Sequence, residues 1–180
     1  MNGVRKSYKF MIIFLFFFLV SCTTVDPSNV TIELNEGIDT VEINTSFIDM
    51  GAKSKAYGFT VENEVISTTV DTTTLGTYEI VYQVSYKDVI KQITRMVIVI
   101  DETAPTGTIN SGIDTVFVGD DWTDQGVTST DNSLEDVQVS VTGHVLTEYP
   151  GEYIIEYHLS DSSGNESILY RYVNVIEIDD

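Results

Sequence analysis

The sequence predicts an all-β chain made of two tandem β-sandwich domains behind a processed N-terminus. Three observations carry that expectation. A long segment repeats at an offset of 75 residues, apolar side chains alternate with period two, and a helical period is absent throughout.

The repeat is anchored by Gly76-Thr77-Tyr78-Glu79-Ile80-Val81-Tyr82, which returns as Gly151-Glu152-Tyr153-Ile154-Ile155-Glu156-Tyr157. Gly37-Ile38-Asp39-Thr40-Val41 returns as Gly112-Ile113-Asp114-Thr115-Val116. Phe47 falls on Trp122, Asp49 on Asp124 and Gly51 on Gly126. The alignment needs no gap from Gly37 to Ser85. One residue is then inserted in the second copy, so Arg95 matches Arg171. A period this long is a small domain rather than a solenoid unit. Alternation places Tyr78, Ile80, Tyr82 and Val84 on one face of a strand, and Tyr153, Ile155, Tyr157 and Leu159 on the matching face. A Gly two residues before a Tyr that opens a long strand also resembles the tyrosine corner of Ig-like sandwiches, whose hydroxyl bonds back to the backbone.

The N-terminus reads as a processing signal. Arg5, Lys6 and Lys9 precede an unbroken apolar run of eleven, Phe10 to Val20. A spanning helix needs about 20 such residues, so the run fits a signal h-region. It ends in Leu19-Val20-Ser21-Cys22, which resembles the lipobox of bacterial lipoproteins. In that family the Cys receives a diacylglycerol thioether and the signal is cut before it. The resemblance implies a signal peptide over 1–21, acyl chains such as palmitate on Cys22, and a membrane anchor on the extracytoplasmic face. Residues 22–29 then form a lipidated tether. Cys22 is the sole cysteine, so no disulfide staples the domains.

The first domain is expected over 30–101. Strands are predicted at Val30 to Leu34, Thr40 to Ile43, Phe59 to Val61, Val65 to Val70, from Gly76 onward, and at Ile90 to Ile100. A turn follows Phe47. Residues 102–106 form a short Pro-containing linker. The second domain, 107–180, repeats the pattern, with Val137, Val139 and Val141 alternating, a polar turn at Asp161 to Asn165, and a closing strand around Tyr170 to Val175.

Charge excludes some partners. Nine Lys and Arg stand against 28 Asp and Glu, a net charge of −19, and three of the basic residues lie in the signal. From Glu102 onward Arg171 is the sole Lys or Arg, against sixteen acids. Nucleic acid is excluded, because its phosphates require Lys and Arg.

No catalytic constellation is legible, and the chain reads as a non-enzyme without a cofactor. His158 alternates with core residues toward solvent and His144 lies at a turn. Calcium is the metal whose ligands abound: Asp120, Asp121, Asp124, Asp131, Asn132, Asp161 and Asn165 supply oxygens. Asp101, Glu102 and Pro105 are loosely similar to the calcium-bound linkers of cadherins. No spacing matches an EF-hand, and Asp, Asn, Ser and Gly are ordinary turn residues, so no metal is assigned.

Further motifs carry a family resemblance. An aromatic residue precedes Asp-x-Gly at Phe47-Ile48-Asp49-Met50-Gly51 and at Trp122-Thr123-Asp124-Gln125-Gly126. The Gly-x-Tyr strands follow, then the Ser160-Asp161-Ser162-Ser163-Gly164-Asn165 turn, and finally Arg95 or Arg171 before Val-x-Val. Together they resemble the Ig-like domain named after a pesticidal crystal protein, a relative of hyalin-repeat modules. That resemblance implies extracellular sandwich modules, found in tandem on bacterial surface proteins and without catalytic activity. The first copy departs from it at Tyr86-Lys87-Asp88-Val89, where the Asp-x-x-Gly-Asn turn is missing. The expected role is adhesion, or contact with a polysaccharide or protein ligand. The other expectation is a structural stalk, or an accessory subunit of a membrane complex.

Overall fold

The computed structural model describes residues 24–177. The segment 1–21 expected to be a signal peptide, and Cys22, the expected lipidation site, lie outside the described residues. Seven strands build the first domain: β1 (Val30–Leu34), β2 (Thr40–Glu42), β3 (Ala52–Ala56), β4 (Phe59–Val61), β5 (Glu64–Thr68), β6 (Gly76–Tyr86) and β7 (Val89–Ile100). Six build the second: β8 (Thr106–Ile109), β9 (Thr115–Phe117), β10 (Val127–Thr130), β11 (Gln138–Thr142), β12 (Gly151–Ser160) and β13 (Glu166–Ile176).

In the first domain a sheet of order β1-β3-β4 faces one of order β2-β7-β6-β5. In the second, β10-β8 faces β11-β12-β13-β9. β2 runs parallel to β7 and β9 parallel to β13, while the other pairs are antiparallel. The alternation read in the Gly-x-Tyr strands sets the core. Ile80, Tyr82 and Val84 are buried on β6, and Ile155, Tyr157 and Leu159 on β12, with their neighbours turned outward. Ile32, Leu34 and Ala52 of the opposite sheet pack onto Ile80, Tyr82 and Val97. Each fully buried aliphatic side chain contributes about 1.5–3 kcal/mol relative to exposure.

The tyrosine corner forms in both copies. Tyr78 donates its hydroxyl to Thr74 O at 2.7 Å, and Tyr153 to Tyr149 O at 2.9 Å.

Strand β3 departs from the sequence reading. Ala52-Lys53-Ser54-Lys55-Ala56 contains no β-branched or aromatic residue and carries no strand propensity. It forms because Ser54 and Ala56 are small enough to lie buried beside β1 while Lys53 and Lys55 face solvent. Its register sets Lys53 opposite Glu33, and the two side chains meet at 3.3 Å. Strand β5 also ends earlier than expected, at Thr68. It is an exposed edge strand with a bulge between Val65 and Ser67. Among the described residues the second domain has no counterpart of β4. Leu134-Glu135-Asp136 stands where Phe59-Thr60-Val61 stands in the first, and two acids do not suit a strand.

Candidate functional site

A buried arginine explains most of the repeated motifs. Arg95 and Arg171 are each 1% exposed, on the core faces of β7 and β13. Arg95 pairs with Asp39, donates Nη2 to Asn35 O at 2.6 Å and Gly51 O at 3.1 Å, and brings Nε to 3.5 Å from Asp49. Arg171 repeats this with Asp114 at 3.0 Å, Asn110 O, and Asp124 at 3.6 Å.

The Asp-x-Gly turn supplies the other side of the network. Asp49 and Asp124 accept the backbone N–H of Gly51 and Gly126 at 2.8 and 2.9 Å, and both glycines sit at positive φ, +70° and +68°. The same carboxylates accept the hydroxyls of Tyr82 and Tyr157. Burial, and then the Asp hydrogen bond, push both phenols up to about 12. Asp124 is therefore a structural acceptor, engaged by Tyr157, Gly126 and Arg171. Gly37 and Gly112 open the motif in tight quarters: a Cβ at Gly37 would lie 2.8 Å from Met50 Cγ and 3.2 Å from Arg95 Nη1, and one at Gly112 2.7 Å from Arg171 Nη1.

Two features lie outside this frame. The first is an apolar cleft of about 450 Å³ on the first domain, lined by Ile38, Val41, Phe47, Ile48 and Met50, with Glu36 and Glu42 among its bordering residues. Ile38 and Ile48 are largely exposed there. At the corresponding positions of the second domain Ile48 becomes Thr123 and Met50 becomes Gln125. Trp122, at the position of Phe47, donates its indole N–H to Ile113 O at 2.8 Å.

The second feature is the junction. Asp101 follows β7, Asp131 follows β10 and Asp161 follows β12; each is 8% exposed. One carboxylate oxygen from each lies within 4.8 Å of the others. Asp101 accepts Thr103 N–H at 3.2 Å and the Ser163 hydroxyl at 3.1 Å. Asp131 Oδ1 accepts Ser133 N–H at 2.9 Å and the Ser133 hydroxyl. Asp161 accepts the backbone and side-chain N–H groups of Asn165 at 2.8 and 2.9 Å, and the same side chain donates to Asp101 O at 3.2 Å. Burial raises the pKa of Asp101, and the charges of Asp131 and Asp161 add to the rise. Burial acts in the same sense on Asp161, but hydrogen bonds from Asn165, Gly164 and Ser163 outweigh it and hold its carboxyl below the ordinary value.

The first domain reaches this cluster through Glu42. Its carboxylate accepts from Thr103 Oγ1 at 2.7 Å, Asn132 Nδ2 at 2.9 Å and Glu102 N–H at 3.1 Å, while Asn44 donates to Asn132 O at 2.7 Å.

Of the oxygen-bearing residues read from the sequence, the structure brings together Asp131, Asp161 and Asn165, with Asn132 adjacent in chain. Asp101 of the junction joins them. Asp124 lies in the arginine network, Asp120 accepts Phe117 N–H at 3.2 Å, and Asp121 is exposed. His158 lies 3.3 Å from Glu156 on the strand surface, and His144 is exposed. Sequence reasoning missed the arginines' burial and the part played by Glu42.

Residues 32–99 and 111–175 each match the family described as bacterial surface protein, Ig-like domain. No curated protein sequence matches the chain. Among solved structures, the lipoprotein BT2262 from Bacteroides thetaiotaomicron is 17% identical, with a TM-score of 0.36 and coverage of 81% of this chain and 80% of that one. The protocadherin GammaB4 extracellular domain is 13% identical, with a TM-score of 0.37 and coverage of 83% of this chain and 26% of that one. The two family matches coincide with the two sandwiches and span well over half of the sequence: this chain belongs to the bacterial surface Ig-like domain family and carries that domain twice.

Proposed function

We propose that the chain is a non-catalytic protein, anchored by lipid on Cys22 at the extracytoplasmic face of the cell membrane, whose first Ig-like domain holds a protein ligand. The observation that carries this reading is the apolar cleft around Ile38, Ile48 and Met50. The fold does not require it, because the second copy fills the positions of Ile48 and Met50 with Thr and Gln. An apolar lining offers little to the hydroxyls of a polysaccharide and suits an aliphatic or aromatic side chain. Glu36 and Glu42 on the border, in a chain of net charge −19, favour a ligand segment with basic residues beside that apolar anchor.

The test is photocrosslinking from position 38, on the same cleft, on producing cells, with sedimentation on purified cell-wall polysaccharide in parallel. A protein adduct that disappears in Ile48→Asp supports the reading. An adduct unchanged by that substitution, or sedimentation on polysaccharide alone, overturns it. The anchor is tested separately, by the loss of labelled palmitate in Cys22→Ser; label retained in that variant would rule the anchor out.

A spacer role is favoured by a different observation. Glu42 and Asn44 tie the first domain to the linker and to Asn132 of the second, which limits hinge motion between the modules. Absence of both protein adduct and polysaccharide binding would leave that role standing.

A further inference from the structure

We propose that Asp101, Asp131 and Asp161 bind a calcium ion at the junction of the two domains. The inference goes beyond the ligand reading above and does not rest on it.

Three carboxylates converge within 4.8 Å while almost fully buried. Like charges this close raise one another's cost of ionisation, and burial removes the water that would screen them. Among the described residues no Lys, Arg or His forms an ion pair with any of the three. Arg171, the sole Lys or Arg after the junction, is committed to Asp114 and Asp124.

A second observation is independent of the acid count. Asp131 Oδ2 is buried without any donor, although Oδ1 of the same carboxylate is satisfied by Ser133. A buried acceptor left unpaired is costly and rare. Asn132 Oδ1, on the next residue, is likewise buried without a donor. An orphaned oxygen on one of three converging carboxylates is what a cation would satisfy.

The molecule contains its own control. At an offset of 75 residues the first domain places Asp26, Ala56 and Tyr86. There Ala56 is buried with Val25, Val30, Val84 and Val89, Tyr86 packs against them, and Asp26 is exposed, capping a short 3-10 turn through Ser28 N–H at 2.9 Å. The same corner of the same fold is closed by apolar packing in one copy and by carboxylates in the other, so the architecture does not demand acids here.

The donor chemistry selects the ion. All the groups are hard oxygens, with no thiolate or imidazole among them, which favours calcium or magnesium over transition metals. Oxygens within 4.8 Å of one another lie no farther than about 2.8 Å from a common centre, so an adjustment of a few tenths of an ångström brings all three to the ordinary calcium distance of about 2.3–2.6 Å. A site assembled largely from protein oxygens suits calcium, because magnesium keeps several of its waters.

The experiment uses the purified full chain in detergent, stripped with chelator and titrated with calcium chloride by calorimetry and by thermal unfolding. One ion should bind per chain, with a dissociation constant in the range of about 0.1–1 mM usual for extracellular modules. At ten times that concentration the melting temperature should rise by roughly 5–10 °C. Asp131→Asn, which keeps the Ser133 contacts, should weaken binding at least about tenfold, and Asp121→Asn, an exposed acid elsewhere, should leave it unchanged. If Asp131→Asn fails to fold, Asp101→Asn directly after β7 serves the same comparison. Absence of any calcium response overturns the proposal. So does a response that survives both junction variants, or one matched by sodium chloride at equal ionic strength.

Discussion

Arg171 donates to Asp114 at 3.0 Å across 57 residues of sequence, at the start of the parallel seam between β13 and β9. Arg95 and Asp39 form the same pair in the first domain. Each arginine joins three separate stretches of its domain, much as a disulfide would in a fold that carried one.

Arg171→Ala should therefore be severe, at about 3 kcal/mol or more, since it strands Asp124 and the carbonyl of Asn110 beside the core. Arg171→Lys should recover less than half of the loss, because an ammonium cannot present the guanidinium fork to three acceptors at once. Chemical denaturation of the two variants gives both numbers.

The tyrosine corner makes a smaller contribution. Tyr153→Phe keeps the ring and removes the hydroxyl bond to Tyr149 O, at a cost of about 1 kcal/mol. Tyr157→Phe should cost more, because it also removes a donor from Asp124, a carboxylate already shared with Arg171. Equal midpoints for the two variants would contradict the network described above.

Alkaline pH should destabilise the fold in a defined window. Tyr82 and Tyr157 hold their protons up to about 12 in the folded chain, while an unfolded tyrosine releases its proton near its ordinary value of 10. Between those values the unfolded state carries fewer protons, so the contribution of both residues is complete below pH 10 and lost as pH approaches 12. Melting temperature should fall across that window, and tyrosinate absorbance should show two phenols titrating late. Tyr82→Phe combined with Tyr157→Phe should flatten the slope.

Much of the frame was legible because it rests on short-range pattern. Period two named Ile80, Tyr82, Ile155 and Tyr157 as core, and the Gly-x-Tyr spacing announced the corner hydroxyls. Strand β3 was not legible, since Ala52 to Ala56 is held by its pairing beside β1 and not by propensity. The junction was legible only as an excess of acids. Asp120, Asp121 and Asp124 look the same in sequence as Asp131 and Asp161, and the fold alone decides which of them meet. The usable signal lay in the repeat itself: Asp131 stands opposite a buried Ala56 and Asp161 opposite Tyr86, acids where the first copy is apolar.

The parallel pairing of β2 with β7, and of β9 with β13, bears on mechanical load. In each domain an early strand lies alongside the last one, running in the same direction. A pull on the two ends of a domain drags these strands past each other lengthwise, so their hydrogen bonds resist together in shear and do not open one after another. Each sandwich is thereby built to stay shut under tension applied along its length.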